Sequence, residues 1–593
     1  MATRKPLPTF TMAASPAWKE TINSALADYE AAGLIQKAPE SKLGFQYKLR
    51  QGTAPAPVER PLAPEFVASP QQAAFFNEVE DGAGNVILEA VAGAGKTTTL
   101  IQAMKRMNGR IFFGAYNQKI VAEIEEKARD ASALRDGVFI STMHSIGYKV
   151  FRNGLSEQER RFLKVTDTKS RDILDEMIKE APLDMQLLMK QAQGFVCKLV
   201  SFAKQYLIGV KASDGSIYGG DEGLLPPWLT LVDHFALNAE LNEKIPVSQA
   251  VAWTLEVYRR SRARCRKVID FDDMIYAPLA LGCKFYNYDW LLGDEWQDAN
   301  PARREMAMRM LAPGGRALFV GDDRQAIYGF AGASSGSLAI TQKMFNCKLM
   351  PLTVTYRCAK SIVTHAHQWV NHIQAHPSAK DGVVRAFTPV PPLKDQKPLP
   401  WYAVEAIQPS DAVLCRYTRP LIMTAYEFLR AGIACKVEGR DIGNGLCKLA
   451  QRWSIRTISA LETRLGEYLD NELRKAALKE DTKREQEVTD VVDTLRIFIE
   501  RSRAKGHTQI DQLVGEIQSL FADNVTNVTV LSTGHKAKGR EWDRVFWIQA
   551  NGGRPSEREW QKIEEDNIKY VICTRARNEL VLVPEPPKPE KAK

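Results

Sequence analysis

The chain has 593 residues, of which 80 are lysine or arginine and 71 are aspartate or glutamate, giving a formal net charge of +9. This length predicts two to four domains, and the mild positive charge is compatible with a polyanionic partner. Nine cysteines without C-x-x-C spacing argue against disulfide frameworks and zinc ribbons. No apolar run approaches the ~18 residues of a membrane helix. We therefore expect a soluble intracellular protein, in the cytoplasm of a cell or host, or in a eukaryotic nucleus.

Residues 1–64 are predicted to form an N-terminal extension and linker. A helical pattern, "WKETINSALADYEAAGLI", is followed by the Pro- and Ala-rich "GTAPAPVERPLAPEF". This segment either docks a partner protein or is a family-specific extension. At the other end, residues 584–593 are charged and Pro-rich, which predicts a disordered tail.

Short apolar runs that end in Gly, Asp, Ser or Thr recur between these ends, among them "NVILEAVAG", "RIFFGAYN", "WLLGDE", "RALFVGDD" and "VTVLSTGH". Such runs, alternating with helical segments, predict buried parallel sheets flanked by helices. Residues 150–250 and 446–525 interrupt the alternation and read as mostly helical. The expected fold class is α/β, with two parallel-sheet cores that each carry a helical insertion.

The stretch "AVAGAGKTT" predicts a phosphate-binding loop between a strand and a helix. Glycines let backbone N–H groups approach phosphates, Lys96 neutralises the outer ones, and the Thr97 hydroxyl suits Mg²⁺. Ala90 stands where the general pattern has glycine. The residues predicted to contact the nucleotide here are Ala92, Gly93, Ala94, Gly95, Lys96, Thr97 and Thr98.

Two carboxylates follow a later apolar strand in "WLLGDEWQD". Asp294 is a candidate Mg²⁺ ligand, and Glu295 is a candidate for orienting the attacking water. Combined with the phosphate loop, this pair predicts a nucleoside triphosphatase. Gln297 and Asp298 are candidates for linking the site to neighbouring elements.

Phosphoryl transfer also needs positive charge beyond the γ-phosphate. Arg357, in "LTVTYRCAKSI", and Arg575, in "YVICTRARNELVLV", are candidates at predicted strand-to-helix junctions. A separate basic run, "RRSRARCRK" at 259–267, either forms a solvated helix face or contacts phosphates.

Taken in order, the motifs resemble those of the UvrD/Rep family of superfamily 1 DNA helicases. The series continues through "AYNQKIVAEI", "STMHSIG", "IDFDDMIY", "VGDDRQAIYGFAGAS", "STGHKAKGREWDRVFWI" and "EEDNIKYVICTRARNEL". The "AYNQK" and "TMHS" forms are most similar to the F-box DNA helicase branch and its phage and bacterial relatives. The resemblance extends over about 66–583 and fits the helical insertions poorly.

The resemblance implies two RecA-like cores, 1A and 2A, that face each other across ATP and Mg²⁺. Core 1A corresponds to 65–149 and 251–345, with insertion 1B at 150–250. Core 2A corresponds to 346–445 and 526–583, with insertion 2B at 446–525.

Roles at the nucleotide are carried over from matching motif positions. Gln72 is similar to the adenine-recognising glutamine, with Gln71 as the alternative. Glu295 corresponds to the catalytic base and Gln325 to the γ-phosphate sensor.

From the second core, Arg357 and Arg575 resemble the two arginines that the family supplies to the phosphates. Glu541, in "KGREW", resembles the acidic residue near the nucleotide sugar. Lys96, Thr97 and Asp294 keep the phosphate and Mg²⁺ roles predicted from their own motifs.

The implied partners are single-stranded DNA and single-strand/double-strand junctions, with no membrane. Tyr328 and Phe330 occupy positions where the family stacks aromatic rings on bases. Ala331 stands where the family usually has arginine. Further candidate strand contacts are Tyr116, Asn117, His144 and His535.

The resulting interpretation is an ATP-dependent DNA helicase that translocates on single-stranded DNA, with the 3′-to-5′ direction implied by the resemblance. Roles in replication, repair or recombination are compatible with it. Three alternatives stay open: a translocase that strips bound proteins with little unwinding, an RNA-directed helicase, and an ATP-binding scaffold. The sequence departs from the family pattern at three positions, Ala331, Thr355 and Trp296. These departures are compatible with the first alternative, a translocase that strips bound proteins.

Overall fold

A computed structural model of the chain describes residues 66–115, 117–242, 244–329, 332, 336–388, 400–438, 440–477, 482–520, 527–549 and 559–585, with strands at 35–37 and 47–49. The chain divides into two compact units, Met1–Val67 and Ala68–Lys593. In the first unit, the two described strands pair antiparallel. The helix predicted in this unit and most of the predicted tail lie outside the described residues.

The described strands, numbered in chain order, are β1 (Ile35–Lys37), β2 (Tyr47–Leu49), β3 (Asn85–Ala90), β4 (Ile111–Ala115), β5 (Val138–Thr142), β6 (Lys164–Val165), β7 (Val268–Ile269), β8 (Tyr288–Gly293), β9 (Leu311–Gly321), β10 (Cys347–Leu352), β11 (Val354–Thr355), β12 (Gln374–Ala375), β13 (Val383–Ala386), β14 (Ala412–Cys415), β15 (Cys435–Val437), β16 (Thr529–Thr533), β17 (Trp542–Gln549) and β18 (Ala576–Pro584).

The described α-helices are α1 (Pro70–Asp81), α2 (Lys96–Met104), α3 (Gln118–Asp130), α4 (Met143–Asn153), α5 (Glu157–Phe162), α6 (Lys169–Glu180), α7 (Leu183–Gln191), α8 (Gln193–Gln205), α9 (Leu225–His234), α10 (Val247–Ala263), α11 (Asp273–Ala280), α12 (Pro301–Met310), α13 (Ser337–Phe345), α14 (Lys360–Ala366), α15 (Trp401–Val404), α16 (Thr418–Arg430), α17 (Arg440–Ala450), α18 (Ile458–Ala477), α19 (Thr482–Ala504), α20 (Ile510–Leu520), α21 (Gly534–Ala537) and α22 (Glu559–Cys573). Short 3₁₀ turns lie at Leu237–Glu240, Trp296–Asp298 and Asp323–Gln325.

Two six-stranded parallel sheets form the centre of the second unit. Their strand orders are β10-β3-β9-β8-β4-β5 and β13-β18-β17-β14-β16-β15. Non-sequential neighbours in a parallel sheet require crossover connections, and helices supply them. The predicted α/β fold class, with two parallel-sheet cores and helical insertions, is confirmed.

Strand β10 belongs to the first sheet, although the sequence analysis assigned 346–445 to the second core. Cys347 pairs with Asn85 and Leu352 with Ala90 of β3. The boundary between the two sheets therefore lies after Leu352. The sequence could not reveal this, because a short apolar strand has the same pattern whichever sheet it joins.

Each helical insertion shares a hydrophobic core with its sheet. Phe195 and Trp228 of the first insertion are buried in one cluster with Phe112 of β4. Phe498 of the second insertion is buried in a cluster with Phe546 of β17. Burial of apolar side chains contributes about 25 cal/mol per Å², so these shared clusters hold the insertions on the cores. No described helix is both long and apolar enough to cross a bilayer.

The basic run at 259–267 is largely engaged in ion pairs, most of them with glutamates of the first insertion. A phosphate-contacting stripe therefore loses support, because most of its guanidinium groups already neutralise glutamates. The pairs are Arg260 with Glu180 and Glu256, Arg262 with Glu222, Arg264 with Glu176, and Arg266 with Glu159.

A buried set of charges joins the first insertion to the start of α11. Lys169 Nζ lies 2.5 Å from Asp273 Oδ2, and Lys204 Nζ lies 2.9 Å from Asp273 Oδ1 and also contacts Asp270. Asp273 and the two lysines are buried. Burial opposes the charged carboxylate, but the two ammonium groups outweigh it and hold the pKa of Asp273 below its usual value.

Replacing Asp273 with alanine is expected to lower the free energy of unfolding by about 3–5 kcal/mol, because two buried ammonium groups lose their partner. The measurement is a denaturant titration followed by circular dichroism, and the cost is taken from the unfolding transition at the lowest denaturant concentration. Arg266→Ala, which removes a half-exposed pair with Glu159, is the control and is expected to cost no more than about 1 kcal/mol. Equal costs for the two variants would contradict a structural role for the buried network.

Candidate functional site

The loop between β3 and α2 has the backbone of a phosphate-binding turn. Gly93 and Gly95 adopt φ angles of 74° and 76°, which residues with a Cβ rarely adopt. Helix α2 begins at Lys96, so the N–H groups of its first turn point into the loop. Lys96 is buried beside the acids that follow β8. The other predicted contacts in this loop and first turn are Ala92, Ala94, Thr97 and Thr98.

Asp294 and Glu295 lie at the carboxyl end of β8, facing this loop. Thr97 Oγ1 donates to Asp294 Oδ2 at 2.6 Å. Burial, with Glu295 alongside, raises the pKa of Asp294 to about 6. A hydroxyl and a buried carboxylate are oxygen ligands of the kind that Mg²⁺ prefers, and a cation there would offset the burial of Asp294. The residues present therefore fit a magnesium ion.

Glu295 is held ionised by its surroundings. Burial opposes its charge, but Lys96, Lys538 and a hydrogen bond from Gln297 Nε2 at 2.5 Å hold its pKa well below the usual range. Its φ angle is 50°, which few residues other than glycine adopt. Strained backbone of this kind clusters at functional sites. The carboxylate is thus an ionised acceptor in a half-buried position.

A chain of hydrogen bonds runs from Glu295 to the second core. Gln297 bonds Glu295, and its Oε1 accepts from Asp322 N at 3.0 Å. Gln325 Nε2 donates to Asp322 Oδ2 at 2.6 Å. Arg575 Nη2 donates to Gln325 Oε1 at 3.4 Å. The predicted acid, sensor and arginine are therefore brought together.

The two predicted arginines lie in contrasting surroundings. Arg357 donates to Glu541 and to the Thr574 carbonyl, at 3.3 Å for the latter. Arg575 is buried and has no ion-pair partner among the described residues. Burial, and then the charge of Arg357, lower the pKa of Arg575 to about 9. Arg575 lies in the turn from α22 to β18, a helix-to-strand junction rather than the predicted strand-to-helix one.

Glu541, expected near the nucleotide sugar, pairs with both Arg357 and Arg577 in this structure. Its pKa is lowered, because these guanidinium groups outweigh the effect of burial. Arg357 and Glu541 therefore neutralise each other's charge in this structure.

The phosphate loop packs directly against the second core. Tyr356 N donates to the Gly93 carbonyl at 2.9 Å. A Cβ placed on Gly93 would lie 2.5 Å from Thr355 Oγ1 and 2.6 Å from Arg357 Cβ. The absence of a side chain at Gly93 is therefore needed both for its backbone conformation and for this contact.

Gln72 lies beside the loop, as predicted, and its amide group is engaged in protein contacts. Its Oε1 accepts from Ser69 N at 3.0 Å, and its Nε2 donates to Thr99 Oγ1 at 2.9 Å. The alternative, Gln71, exchanges two hydrogen bonds with Thr353 at 2.9 Å. Both amides are thus satisfied within the protein in this state.

Two residues that the sequence analysis did not single out join the site. Lys538 Nζ donates to Asp298 Oδ2 at 2.6 Å and to the Gln325 carbonyl at 2.8 Å. Tyr570 Oη accepts from Ala92 N at 3.0 Å. Both lie in motifs quoted above, but a lysine or tyrosine in a motif carries no signal that distinguishes a site contact from packing.

The candidate strand contacts form two groups. Tyr328 Oη donates to the His535 carbonyl at 3.2 Å, and the Lys538 ammonium lies 5.0 Å from the centre of the Tyr328 ring. His144 stacks on Phe271, with ring centres 3.9 Å apart. Phe271 is 60% exposed, and the sequence analysis had not named it.

Some of the other strand-side candidates lie among the described residues and others do not. Asn117 is exposed and caps α3, because its Oδ1 accepts from Ile120 N at 2.9 Å. Burial, with Arg303 nearby, lowers the pKa of His144 to about 3, so its ring is neutral at physiological pH. Tyr116 and Phe330 lie outside the described residues, as does Ala331.

Two models of known protein families match the chain. A model of the UvrD/REP helicase N-terminal domain matches residues 70–346, and a model of the UvrD-like helicase C-terminal domain matches residues 446–584. Together these matches cover more than two thirds of the chain.

Several curated relatives match about half of the chain. A probable DNA helicase II homolog of Mycoplasma pneumoniae is 27% identical over 51% of this chain and 42% of its own length. DNA helicase II of Haemophilus influenzae is 24% identical over 48% and 38%, respectively. ATP-dependent DNA helicase Rep of Buchnera aphidicola is 25% identical over 50% and 44%. The matched part is less than half the length of each relative.

Gly93→Ala is expected to destabilise the protein more than Gly95→Ala. Both substitutions place a Cβ on left-handed backbone, at a cost of about 1–2 kcal/mol. Only the Cβ at Gly93 meets the second core, whereas the one at Gly95 has its nearest neighbour at 3.6 Å. Melting temperatures without nucleotide measure the difference, and equal values would contradict the direct contact between the loop and the second core.

Proposed function

The chain belongs to the UvrD-like helicase family, and we propose that it is an ATP-driven motor that translocates 3′-to-5′ along single-stranded DNA and opens duplex at single-strand/double-strand junctions. The observation that carries the proposal is the hydrogen-bonded chain from Glu295 to Arg575. It links the carboxylate of one core to a buried guanidinium of the other that has no ion-pair partner among the described residues. Within the family, the "AYNQK" and "TMHS" forms support a position near the F-box DNA helicase branch.

On this proposal the first core binds and activates the nucleotide. The loop N–H groups and Lys96 hold the phosphates, and Thr97 and Asp294 hold Mg²⁺. The low pKa of Glu295 keeps it ionised, so that it can orient the attacking water and accept its proton. Gln325 sits between this acid and Arg575, in a position to report the γ-phosphate to both.

The second core supplies the compensating charge. Arg575 is buried and pairs with no carboxylate among the described residues, so an anionic phosphate would compensate the charge of its guanidinium. Arg357 is held by Glu541 in this structure, and binding of a nucleotide is proposed to release it toward the phosphates. Each cycle of ATP binding and release then closes and reopens the two cores.

The strand is proposed to run past Phe271, His144 and Tyr328. Phe271 is exposed and stacks on His144, whereas Tyr328 is half-buried. An aromatic ring can stack on any base, which suits binding without sequence preference. Phe330 and Tyr116 are retained as proposed contacts from the family resemblance.

Turnover of ATP is expected to rise on addition of single-stranded DNA, and more than on addition of RNA at the same salt concentration. Glu295→Gln is expected to lower turnover by about 10²–10⁴-fold, because the general base is lost, and Lys96→Ala is expected to abolish phosphate binding. Glu159→Gln, on the surface of the first insertion, is the control. If ATP turnover does not change on addition of nucleic acid, the result is compatible with the phosphate site but contradicts the proposal of a DNA-dependent motor.

A duplex with a single-stranded tail distinguishes the helicase from a translocase that only strips proteins. The proposal expects strand separation from a 3′ tail and little from a 5′ tail. Displacement of streptavidin from a biotinylated strand without strand separation would favour the stripping activity.

Phe271→Ala is expected to weaken binding of single-stranded DNA by about 1–3 kcal/mol, because a stacking face is lost. Fluorescence anisotropy with a labelled oligothymidylate, at one fixed salt concentration, measures it. Phe162→Ala is a matched control, since Phe162 is another exposed ring, 65% accessible, on the first insertion. The same small effect from both variants would mean that Phe271 is not a strand contact.

A further inference from the structure

Helix α22 contacts three segments of the interface between the cores with residues of neighbouring turns. Tyr570 reaches the phosphate loop, and Asn567 reaches the turn after β9. Glu564 Oε1 lies 4.0 Å from His535 Nε2. Because residues three and four apart share a helix face, these contacts come from one side of a single rigid element.

Tyr570 occupies a donor of the phosphate loop from the opposite core. It is fully buried, and its hydroxyl oxygen accepts the Ala92 N–H at 3.0 Å. No described residue accepts the hydrogen of this hydroxyl. Burial, with Asp322 nearby, raises the pKa of Tyr570 well above its usual value, so the phenol stays protonated. Backbone N–H groups of such a loop bind phosphate, so this contact changes when the loop is filled.

Asn567 clamps the segment that carries the sensor and a candidate strand contact. Its Nδ2 donates to the Asp323 carbonyl at 3.1 Å and to the Ala326 carbonyl at 2.9 Å. These two carbonyls flank Gln325 in the chain, and Tyr328 follows shortly after. Asn567 is itself buried, so a shift of α22 is transmitted to this turn rather than absorbed by solvent.

We propose that Tyr570 and Asn567 are positioning residues that transmit the state of the phosphate loop along α22 to the turn bearing Tyr328. When phosphate draws the N–H groups of the loop, the Ala92–Tyr570 hydrogen bond must lengthen or realign, and α22 moves Asn567 with it. The inference rests on the proposed function, because only a motor needs its strand-binding ring linked to the phosphate loop.

Tyr570→Phe tests the inference by removing one hydroxyl and leaving the packed ring. The expected result is a roughly tenfold or greater loss of the stimulation of kcat/KM for ATP by DNA, because the phosphate loop then lacks the hydrogen bond through which its state is coupled to α22. The affinity for an oligothymidylate is expected to become the same with Mg-ADP and with a non-hydrolysable ATP analogue. Asn567→Ala should also remove the nucleotide dependence.

Tyr258→Phe is the matched control, because the Tyr258 hydroxyl donates to the Ile208 carbonyl at 2.7 Å in a buried position away from the interface. It is expected to lower the melting temperature while keeping the nucleotide dependence of DNA affinity. If Tyr570→Phe also keeps that dependence, the inference is overturned. If the wild-type protein shows no DNA-stimulated turnover, the proposed function itself fails, which is a separate outcome.

Discussion

The hydrogen-bonded chain from Glu295 through Gln297, Asp322 and Gln325 to Arg575 is the constraint on which the arrangement of the two cores depends. A buried guanidinium without a carboxylate is costly unless polar groups surround it. Gln325 and nearby carbonyls meet that need here. A bound phosphate anion would offset the cost of burying this positive charge. Charge that is already in position before the reaction is the usual source of electrostatic stabilisation in catalysis.

Close contact between the cores follows from the loop that the chain builds after β3. Gly93 has no side chain, so the backbone of Tyr356 can approach it, and Tyr570 can bond the neighbouring N–H of Ala92. The loop proposed to bind phosphate is therefore also the surface that the second core contacts. This double use explains how occupancy of the loop can alter the relation of the cores.

The face proposed to bind the DNA strand depends on a buried set of charges at the start of α11. Asp270 and Asp273 contact the lysines of the first insertion, and Phe271 between them is turned to the surface against His144. The charges hold the insertion on the core and hold the ring in place at the same time. In the sequence, "IDFDDMIY" reads only as acids around an aromatic residue, and no local pattern shows that the acids are buried and the ring exposed.

What the sequence determined by itself is local: the phosphate loop from its glycines and Lys96, the acid pair at a strand end, and two parallel-sheet cores from apolar runs that alternate with helices. These features depend on spacing and backbone conformation, which neighbouring residues set. Only the tertiary structure decided that β10 joins the first sheet and that most arginines of the basic run form ion pairs. It also decided that Lys538 and Tyr570 contact the opposite core. Contacts between residues hundreds of positions apart depend on how sheets and helices pack, and that packing leaves no periodic trace in the chain.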